Sequence, residues 1–324
     1  MNAPERTDVG DVRTTLSIVI PIKDEEGSLQ ELHRRLESAL DALANEWELI
    51  LIDDGSVDRS FETMLELRRS DPRVKLVRLS RNFGHQAAIT AGLDLAEGTA
   101  VVVMDGDLQH PPEVIPQFID RWREGYEVVY GVMTSREGET WLKKRTAALF
   151  YRLLRRLTDV EMPLDAGDFR LIDRKVLDAF ASLRERNRYV RGMFSWVGFR
   201  QIGVPYTSSR RFAGQTKYTR ARMFRLARDG IFSFSNIPLR FVLRVGFFVS
   251  GLAILETIFA IVNKLGGFNV VPGWASIVIL VSFVSGVQLI VLGVVGEYIG
   301  LIYDEVKQRP IYLVGELHGF ERRP

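Results

Sequence analysis

The sequence of 324 residues contains no cysteine. Disulfides, cysteine-ligated zinc and thiol catalysis are therefore excluded, and the composition fits a reducing compartment. Net charge is also small, at +2 from 43 basic and 41 acidic residues, so the chain as a whole is not expected to bind nucleic acid. The polar N-terminus leads into an apolar run, Leu16–Ile20, that is too short for the core of a signal peptide. We therefore expect the N-terminal part to stay in the cytoplasm.

Long apolar stretches occur in the last third of the chain. Residues 245–263 carry a single charge, Glu256, and residues 274–296 carry none. A helix needs about 20 apolar residues to cross a bilayer, so both stretches are candidate membrane spans. For the first stretch a buried core helix is the alternative. Glu256 inside a span would mark a subunit contact, a lipid contact or a position near the interface.

Basic residues flank this pair of stretches on both sides. They are Arg240, Arg244, Lys307, Arg309, Arg322 and Arg323. The positive-inside rule then predicts that both ends of the pair lie in the cytoplasm. Residues 141–157 add an amphipathic pattern whose charges are all basic, which suits an anionic membrane surface. An ordinary surface helix of a soluble domain is the alternative there.

The N-terminal third alternates strand-like and helix-like segments. Apolar runs predict strands at Leu16–Pro21, Trp47–Ser56, Val74–Leu79 and Ala100–Asp105, with helices between them. Ser28, with Glu31 three residues later, predicts a capping box at the start of the first helix. This order is typical of a doubly wound, Rossmann-like α/β domain, in which helices cover both faces of a parallel sheet. Ligands bind such sheets at the carboxyl ends of the strands.

The segment Met104–Glu113 follows the fourth predicted strand and contains an Asp-Gly-Asp turn. Asp105 and Asp107 are spaced so that both carboxylates can reach one hard cation, and Gln109 can add an oxygen directly or through water. Oxygen ligands of this kind suit Mg²⁺ or Mn²⁺. A pair of solvated aspartates is the alternative, but the position at a strand end favours a metal site.

Two further polar segments follow strands. In Ile52–Asp58, Asp53 or Asp54 could accept hydrogen bonds from a base or ribose, although Asp-Gly-Ser is also ordinary turn chemistry. Pro21–Gly27 contains a cluster of carboxylates that could belong to the same site. Alternatively, these carboxylates could only stabilise the start of the following helix through its dipole. Because all these segments are predicted at one edge of one sheet, we expect them to form a single site.

The segments PIKDEEG, IDDGSVD, SRNFGHQAA and MDGDLQHPPE, in this order, resemble the inverting family 2 glycosyltransferases with a GT-A fold. Later segments, DAGDFRLIDR, RNRYVRGMFSWVGFRQIGVPY, RRFAGQTKY and DGIFSFSNIPLR, resemble polyprenyl-phosphate glycosyltransferases. This group includes bacterial bactoprenol glucosyltransferases and dolichol-phosphate mannose synthases. The resemblance implies inverting transfer of one sugar, with glucose from UDP-glucose as first choice, to undecaprenyl or another polyprenyl phosphate. It also implies Mg²⁺ or Mn²⁺, a cytoplasmic active site at the bacterial inner membrane, and a homo-oligomer such as a tetramer.

The resemblance assigns roles to matching positions. The residues expected at the nucleotide sugar, including those read directly from the sequence, are Pro21, Lys23, Glu25, Ile52, Asp53, Asp54, Asp105, Gly106, Arg211 and Lys217. Lys23 stands where the family often has a tyrosine, so the resemblance does not establish stacking on the base there. Asp107 would bind the metal with help from Gln109, and Arg136 and Arg145 would hold the acceptor phosphate.

The chemistry of the acceptor sets the remaining expectations. A phosphate monoester, with a second pKa of about 6, is already an anionic nucleophile near neutral pH, so it needs a general base less than a hydroxyl does. The metal, Arg211 and Lys217 would stabilise the departing diphosphate. Asp168 would orient the acceptor or the sugar, or act as a base if the phosphate arrives protonated. Capping of a helix is the alternative for Asp168.

The expected domains are a flexible N-terminus (1–15), a GT-A domain with interfacial helices near 140–158 and 219–238 (16–235), a two-helix membrane region (239–302) and a cytoplasmic tail (303–324). Three other functions stay open: transfer from GDP-mannose or another UDP-sugar, a processive polysaccharide synthase, and a non-catalytic membrane scaffold that binds sugar nucleotides. Processive enzymes carry a Gln-x-x-Arg-Trp signature, and the nearest match, Gln117–Trp122, has the wrong spacing.

Overall fold

The computed structural model describes residues 15–41, 46–135, 166–186, 188, 190–208, 237–265 and 273–320. The chain divides into two compact units. The first comprises Met1–Arg152, Val160–Arg220 and Arg309–Pro324, and the second comprises Leu153–Asp159 and Ala221–Gln308. The first unit is built on a mixed β-sheet, and the second contains two long helices.

The alternating segments of the N-terminal third form the centre of the sheet. They are β1 (Thr15–Ile22), α1 (Leu29–Leu40), β2 (Glu46–Asp53), α2 (Ser60–Ser70), β3 (Val74–Leu79), α3 (His85–Leu95) and β4 (Ala100–Val103). β1 pairs in parallel with β2 and with β4, and β2 pairs in parallel with β3. The predicted parallel sheet is therefore confirmed for these strands. They are apolar and buried almost throughout, as strands covered on both faces should be.

The next segments complete one side of the sheet. They are a short 3₁₀ turn (Pro112–Val114), α4 (Ile115–Arg123), β5 (Val128–Ser135), β6 (Ala166–Asp173), α5 (Arg174–Ala181), α6 (Val190–Trp196) and β7 (Gln201–Thr207). β6 runs antiparallel to β4 and to β5, whereas β7 is parallel to β5. The whole sheet has the order β7-β5-β6-β4-β1-β2-β3-β8, so it is mixed rather than purely parallel.

Helices pack on both faces of the sheet, as predicted. The apolar stripe Leu29, Leu32, Leu36 and Leu40 of α1 is buried in the main core. On the opposite face α3 comes so close that a Cβ on Gly92 would lie 2.3 Å from Val19 Cγ1. Glycine is therefore required at this crossing.

The start of α1 differs from the prediction. Ser28 precedes the helix but already has near-helical angles, φ −105° and ψ −21°, and its side chain makes no cap. A capping serine needs an extended backbone to aim its oxygen at the first turn, so the predicted capping box is wrong. Instead, the hydroxyl donates to the carbonyls of Glu25 at 3.0 Å and Gly106 at 2.8 Å. It thereby fastens α1 to the Asp105–Asp107 turn.

The sheet ends in β8 (Val314–His318), a strand that the sequence pattern did not predict. β8 pairs antiparallel with β3, and Glu316 accepts a hydrogen bond from Arg78 at 3.1 Å. The Tyr312 hydroxyl donates to Asp94 at the end of α3, at 2.9 Å. The segments before and after the second unit therefore both belong to the first unit.

The second unit contains α7 (Ile237–Leu265) and α8 (Trp274–Val306). These helices cover both apolar stretches predicted from the sequence. Within the described residues, one 24-residue segment, Phe283–Val306, is long and apolar enough to cross a membrane, with a mean hydropathy of 1.7 over an 18-residue window. The two-span arrangement stays a prediction. The basic amphipathic segment at 141–157 and most of the segment near 219–238 lie outside the described residues.

Candidate active site

The loops that follow β1 and β2 are joined by reciprocal hydrogen bonds. The Asp24 amide donates to Ser56 Oγ at 3.1 Å, and the Val57 amide donates to Asp24 Oδ1 at 2.8 Å. The Glu25 amide donates to Ser60 Oγ at 2.8 Å. The two polar segments predicted at this edge of the sheet are therefore brought together into one rim.

The strand ends beneath this rim hold several of the predicted nucleotide-site residues. Pro21 and Ile52 are register partners in β1 and β2. The Lys23 ammonium donates to the carbonyl of Gly55, so its positive charge lies beside the loop that joins β2 to α2. Asp53 is fully buried and its Oδ1 accepts the Ser56 amide at 2.8 Å. Asp53 thus closes a turn within the protein.

Asp54 fixes a third loop. The Phe83 amide donates to its Oδ1 at 2.7 Å, and the Gly84 amide donates to its Oδ2 at 3.0 Å. Burial raises the pKa of Asp54, although these backbone hydrogen bonds oppose the shift. The carboxylate holds the loop that opens α3, and the first residue of that helix is His85.

The Asp105–Gln109 turn lies beyond the end of β4. The Gln109 amide donates to Asp107 Oδ1 at 3.1 Å, and Leu108 between them has a positive φ of 63°. A Cβ on Gly106 would lie 2.6 Å from Ile22 Cδ1, so the turn passes directly over β1. This close approach positions both aspartates of the motif against the core.

His110 supports the turn from below. It is buried, its ring stacks on Phe169 with centroids 5.0 Å apart, and it meets Tyr206 edge-on. Its Nδ1 accepts a hydrogen bond from the Asp105 amide at 3.0 Å. The contacts of His110 with the aromatic rings of β6 and β7 therefore fix the backbone position of Asp105.

Asp168 enters the same site from β6. Because β6 runs antiparallel to β4, with Arg170 opposite Val103, Asp168 comes just past the end of β4. Arg191 of α6 binds it in a bidentate manner, with Nε 2.8 Å from Oδ1 and a terminal nitrogen 2.9 Å from Oδ2. Such two-point contacts are the strongest arginine–carboxylate arrangement.

His85 completes the cluster. Its Nε2 lies 3.2 Å from Asp168 Oδ2 and 3.5 Å from Asp105 Oδ1. Desolvation alone would lower the pKa of His85, but the hydrogen bond to Asp168 and the charge of Asp105 raise it to about 9. The imidazole is therefore a cation at neutral pH. It joins two carboxylates that come from different strands.

Asp168 is correspondingly stabilised as an anion. Its burial, with 4% of the residue exposed, would by itself raise its pKa. The charge of Arg191 and the hydrogen bond with His85 overcome this and hold the pKa of Asp168 well below its usual range. A buried carboxylate between two cations is a poor proton acceptor near neutral pH.

The structure places Asp105 and Asp107, predicted at a strand end, and Asp168, expected from the family resemblance, at one edge of the sheet. Four predicted residues, Arg136, Arg145, Arg211 and Lys217, lie outside the described residues. Two members of the site, His85 and Arg191, were missed. Both lie in segments that carried the family resemblance, but they are separated from Asp168 by 83 and 23 positions.

The predicted metal site offers few donor groups. Among the residues that the structure describes, no three or more His, Cys, Asp or Glu side chains cluster as a metal cage. Asp107 and Gln109 supply hard oxygen donors at the rim. Mg²⁺ commonly binds through one or two carboxylates plus substrate phosphates and water, so this sparse oxygen set fits a cation shared with a nucleotide.

Comparisons with known proteins cover nearly the whole chain. The family profile described as Glycosyl transferase family 2 matches residues 17–180. YkcC of Bacillus subtilis, described as an uncharacterized glycosyltransferase, is 49% identical over 307 residues, which is 95% of each chain. The SfII prophage-derived bactoprenol glucosyl transferase of Shigella flexneri is 38% identical over 94% of this chain and 98% of its own. Glucosyl-3-phosphoglycerate synthase from Mycobacterium tuberculosis, solved with Mn²⁺, UDP-glucose and phosphoglyceric acid, aligns with a TM-score of 0.45 and 18% identity, over 68% of this chain and 78% of its own.

Proposed function

Because the chain belongs to glycosyl transferase family 2, we propose that it transfers one glucosyl residue from UDP-glucose to undecaprenyl phosphate or a similar polyprenyl phosphate. Glycosyltransferase activity follows from the family itself. Relatives named bactoprenol glucosyl transferase, 38% identical over nearly their whole length, support the lipid acceptor and the sugar. The product is a polyprenyl monophosphate sugar with inverted anomeric configuration.

The observation that carries the proposal is the environment of Asp168. A sugar hydroxyl must lose a proton as it attacks, so its enzyme needs a base with a pKa near the operating pH. Asp168 is held as an anion by Arg191 and His85, which makes it a poor base. A phosphate monoester, with a second pKa of about 6, needs no base. The site therefore favours a phosphate acceptor over a hydroxyl acceptor and, with it, single transfer over polysaccharide synthesis.

The bond changes are simple for such an acceptor. An oxygen of the acceptor phosphate attacks the anomeric carbon, and the bond from that carbon to the diphosphate breaks. The electron pair leaves with the nucleoside diphosphate, so no proton is transferred. Asp107 and Gln109 would hold Mg²⁺ or Mn²⁺, which neutralises charge on the leaving diphosphate. Arg211 and Lys217 would assist there, and Arg136 and Arg145 would bind the acceptor phosphate.

The nucleotide would occupy the rim built by the first loops. Lys23 and the loop fixed by Asp54 border this rim, and Asp105 faces it from β4. The described carboxylates of Asp53 and Asp54 already accept protein hydrogen bonds. We therefore propose that both shape the nucleotide pocket mainly by ordering its loops.

The connectivity of the sheet supports a membrane hairpin. β8 follows α8 in the chain and pairs with β3 of the catalytic sheet, while β1 to β7 precede α7. We therefore propose that the chain returns to the same side of the membrane after the α7–α8 segment, which requires an even number of crossings. The apolar run Phe283–Val306 supports a segment that enters the bilayer, and two crossings are the proposal. With the positive-inside rule, catalytic unit and both termini are proposed to be cytoplasmic, at the bacterial inner membrane. Assembly as a homo-oligomer stays a prediction.

Membranes that contain the full chain test this function. They are incubated with undecaprenyl phosphate and, separately, with labelled UDP-glucose, UDP-galactose, UDP-N-acetylglucosamine or GDP-mannose, and the lipid is extracted. We expect label from UDP-glucose in the lipid. Asp107→Asn should abolish the transfer, and Asp120→Asn, an exposed carboxylate on α4, should leave it unchanged. Label from a different donor would correct the sugar, and no label from any donor would refute the function.

A further inference from the structure

One nitrogen of His85 connects the two halves of the site. Nε2 is 3.5 Å from Asp105 Oδ1, on the nucleotide side, and 3.2 Å from Asp168 Oδ2, on the side of β6. Asp105 Oδ1 is buried and has no hydrogen-bond partner in the described part of the chain. Both carboxylates therefore approach the same ring nitrogen, and His85 lies between them.

The backbone around His85 is also held in place. Asp54 binds the amides of Phe83 and Gly84 immediately before it, and Gly84 has a φ of 100° that side-chain-bearing residues rarely adopt. The loop thus delivers the imidazole to one location at the strand ends. Yet 44% of its side chain is exposed, so the ring is not there to fill the core.

We propose that His85 is a positioning residue for sugar transfer, whose Nε2 contacts hold Asp105 and Asp168 in one arrangement. The inference rests on the proposed function and extends it to a residue outside the metal turn. Transfer requires the donor sugar and the acceptor phosphate to meet in line, and small misplacements of the groups that hold them reduce rates steeply. Without the contacts of His85, Asp105 and Asp168 are no longer held together, and the groups that position the two substrates can shift.

Substitution of His85 tests the proposal against a matched control. His33 of α1 makes a comparable pair with Asp71, Nε2 to Oδ2 at 2.9 Å, and it lies outside the site. In purified full-length protein, His85→Gln should lower kcat by about 10- to 100-fold, with the affinity for UDP changed far less. His33→Gln should leave kcat at the wild-type value. His85→Lys, which keeps a cation, should retain more activity than His85→Gln.

A double variant separates positioning from an independent role. If His85 acts through Asp168, the combined His85→Gln and Asp168→Asn variant should be little slower than Asp168→Asn alone, because residues that act as a unit are not additive. Multiplicative losses would overturn the proposal, as would wild-type kcat in His85→Gln or equal activities of the Gln and Lys variants. If the wild-type chain transfers no sugar, the proposed function fails and this inference with it. If the wild type transfers sugar and His85→Gln equals it, only this inference fails.

Discussion

A methyl group added to Gly106 would test how tightly the Asp105–Asp107 turn is held against the sheet. The new Cβ of Gly106→Ala would lie 2.6 Å from Ile22 Cδ1 and 3.5 Å from Ile20 Cγ2. Favourable carbon contacts lie at about 3.5–4.0 Å, so the turn or the isoleucine must move by roughly 1 Å. Ile22 is fully buried, and the surrounding core leaves it little room.

The size of the effect follows from this overlap. Overpacking of a dense core costs about 1–3 kcal/mol, which corresponds to a fall in Tm of about 2–10 °C for a domain of this size. A shift of the turn also displaces both aspartates, so the transfer rate should fall about tenfold or more. Thermal unfolding of the detergent-solubilised chain and transfer of labelled glucose would measure the two effects.

Removal of the clashing atom provides the control. Ile22→Val deletes Cδ1 and alone should cost about 0.5–1.5 kcal/mol, with a transfer rate close to the wild type. Combined with Gly106→Ala, it should restore most of the transfer rate and leave Tm near that of Ile22→Val alone. Two results would contradict a clash between the new Cβ and Ile22. Gly106→Ala could keep the wild-type Tm and transfer rate, or the double variant could show the sum of the two single losses in Tm.

Three further outcomes are expected. Burial would raise the pKa of Asp71, but hydrogen bonds chiefly from Arg73 lower it to about 2. Asp71 therefore stabilises the fold fully above about pH 4 and loses this effect as pH falls through 2. In unfolding experiments, Asp71→Asn should cost about 2 kcal/mol at pH 7 and much less near pH 2. Tyr312→Phe removes the hydrogen bond to Asp94 and should cost about 1 kcal/mol in thermal unfolding while transfer is unchanged; a large loss of transfer would contradict a purely structural tether. Chelation of divalent cations should reduce transfer about 100-fold or more, with recovery on adding Mg²⁺ or Mn²⁺; undiminished transfer would remove the metal role of Asp107.

Much of the central sheet could be predicted because its strands are uninterrupted apolar runs with polar turns at their ends. β3 was predicted with the bounds that the structure shows, Val74–Leu79. The common edge of the polar segments could also be predicted, since parallel strands present their carboxyl ends on one side. The hydrogen bonds between the Asp24 and Ser56 loops are a direct consequence of that geometry.

Other features depend on contacts that local patterns do not encode. β8 is short and mostly exposed, so its stability comes from backbone pairing with β3 and no apolar alternation marks it. The Ser28 hydroxyl donates to the carbonyl of Gly106, 78 residues away, and a local pattern cannot predict this contact. Likewise, His85 and Arg191 contact Asp168 only when β6 folds beside β4, because this pairing brings Asp168 between them.

The central claim is that the acceptor is a lipid phosphate that needs no general base. The most direct measurement compares undecaprenyl phosphate with undecaprenol, which has the same chain but a hydroxyl in place of the phosphate, as acceptors for labelled glucose from UDP-glucose. We expect label in the lipid phosphate and none above background in the alcohol. Equal transfer to the alcohol, or transfer to neither lipid, would contradict it.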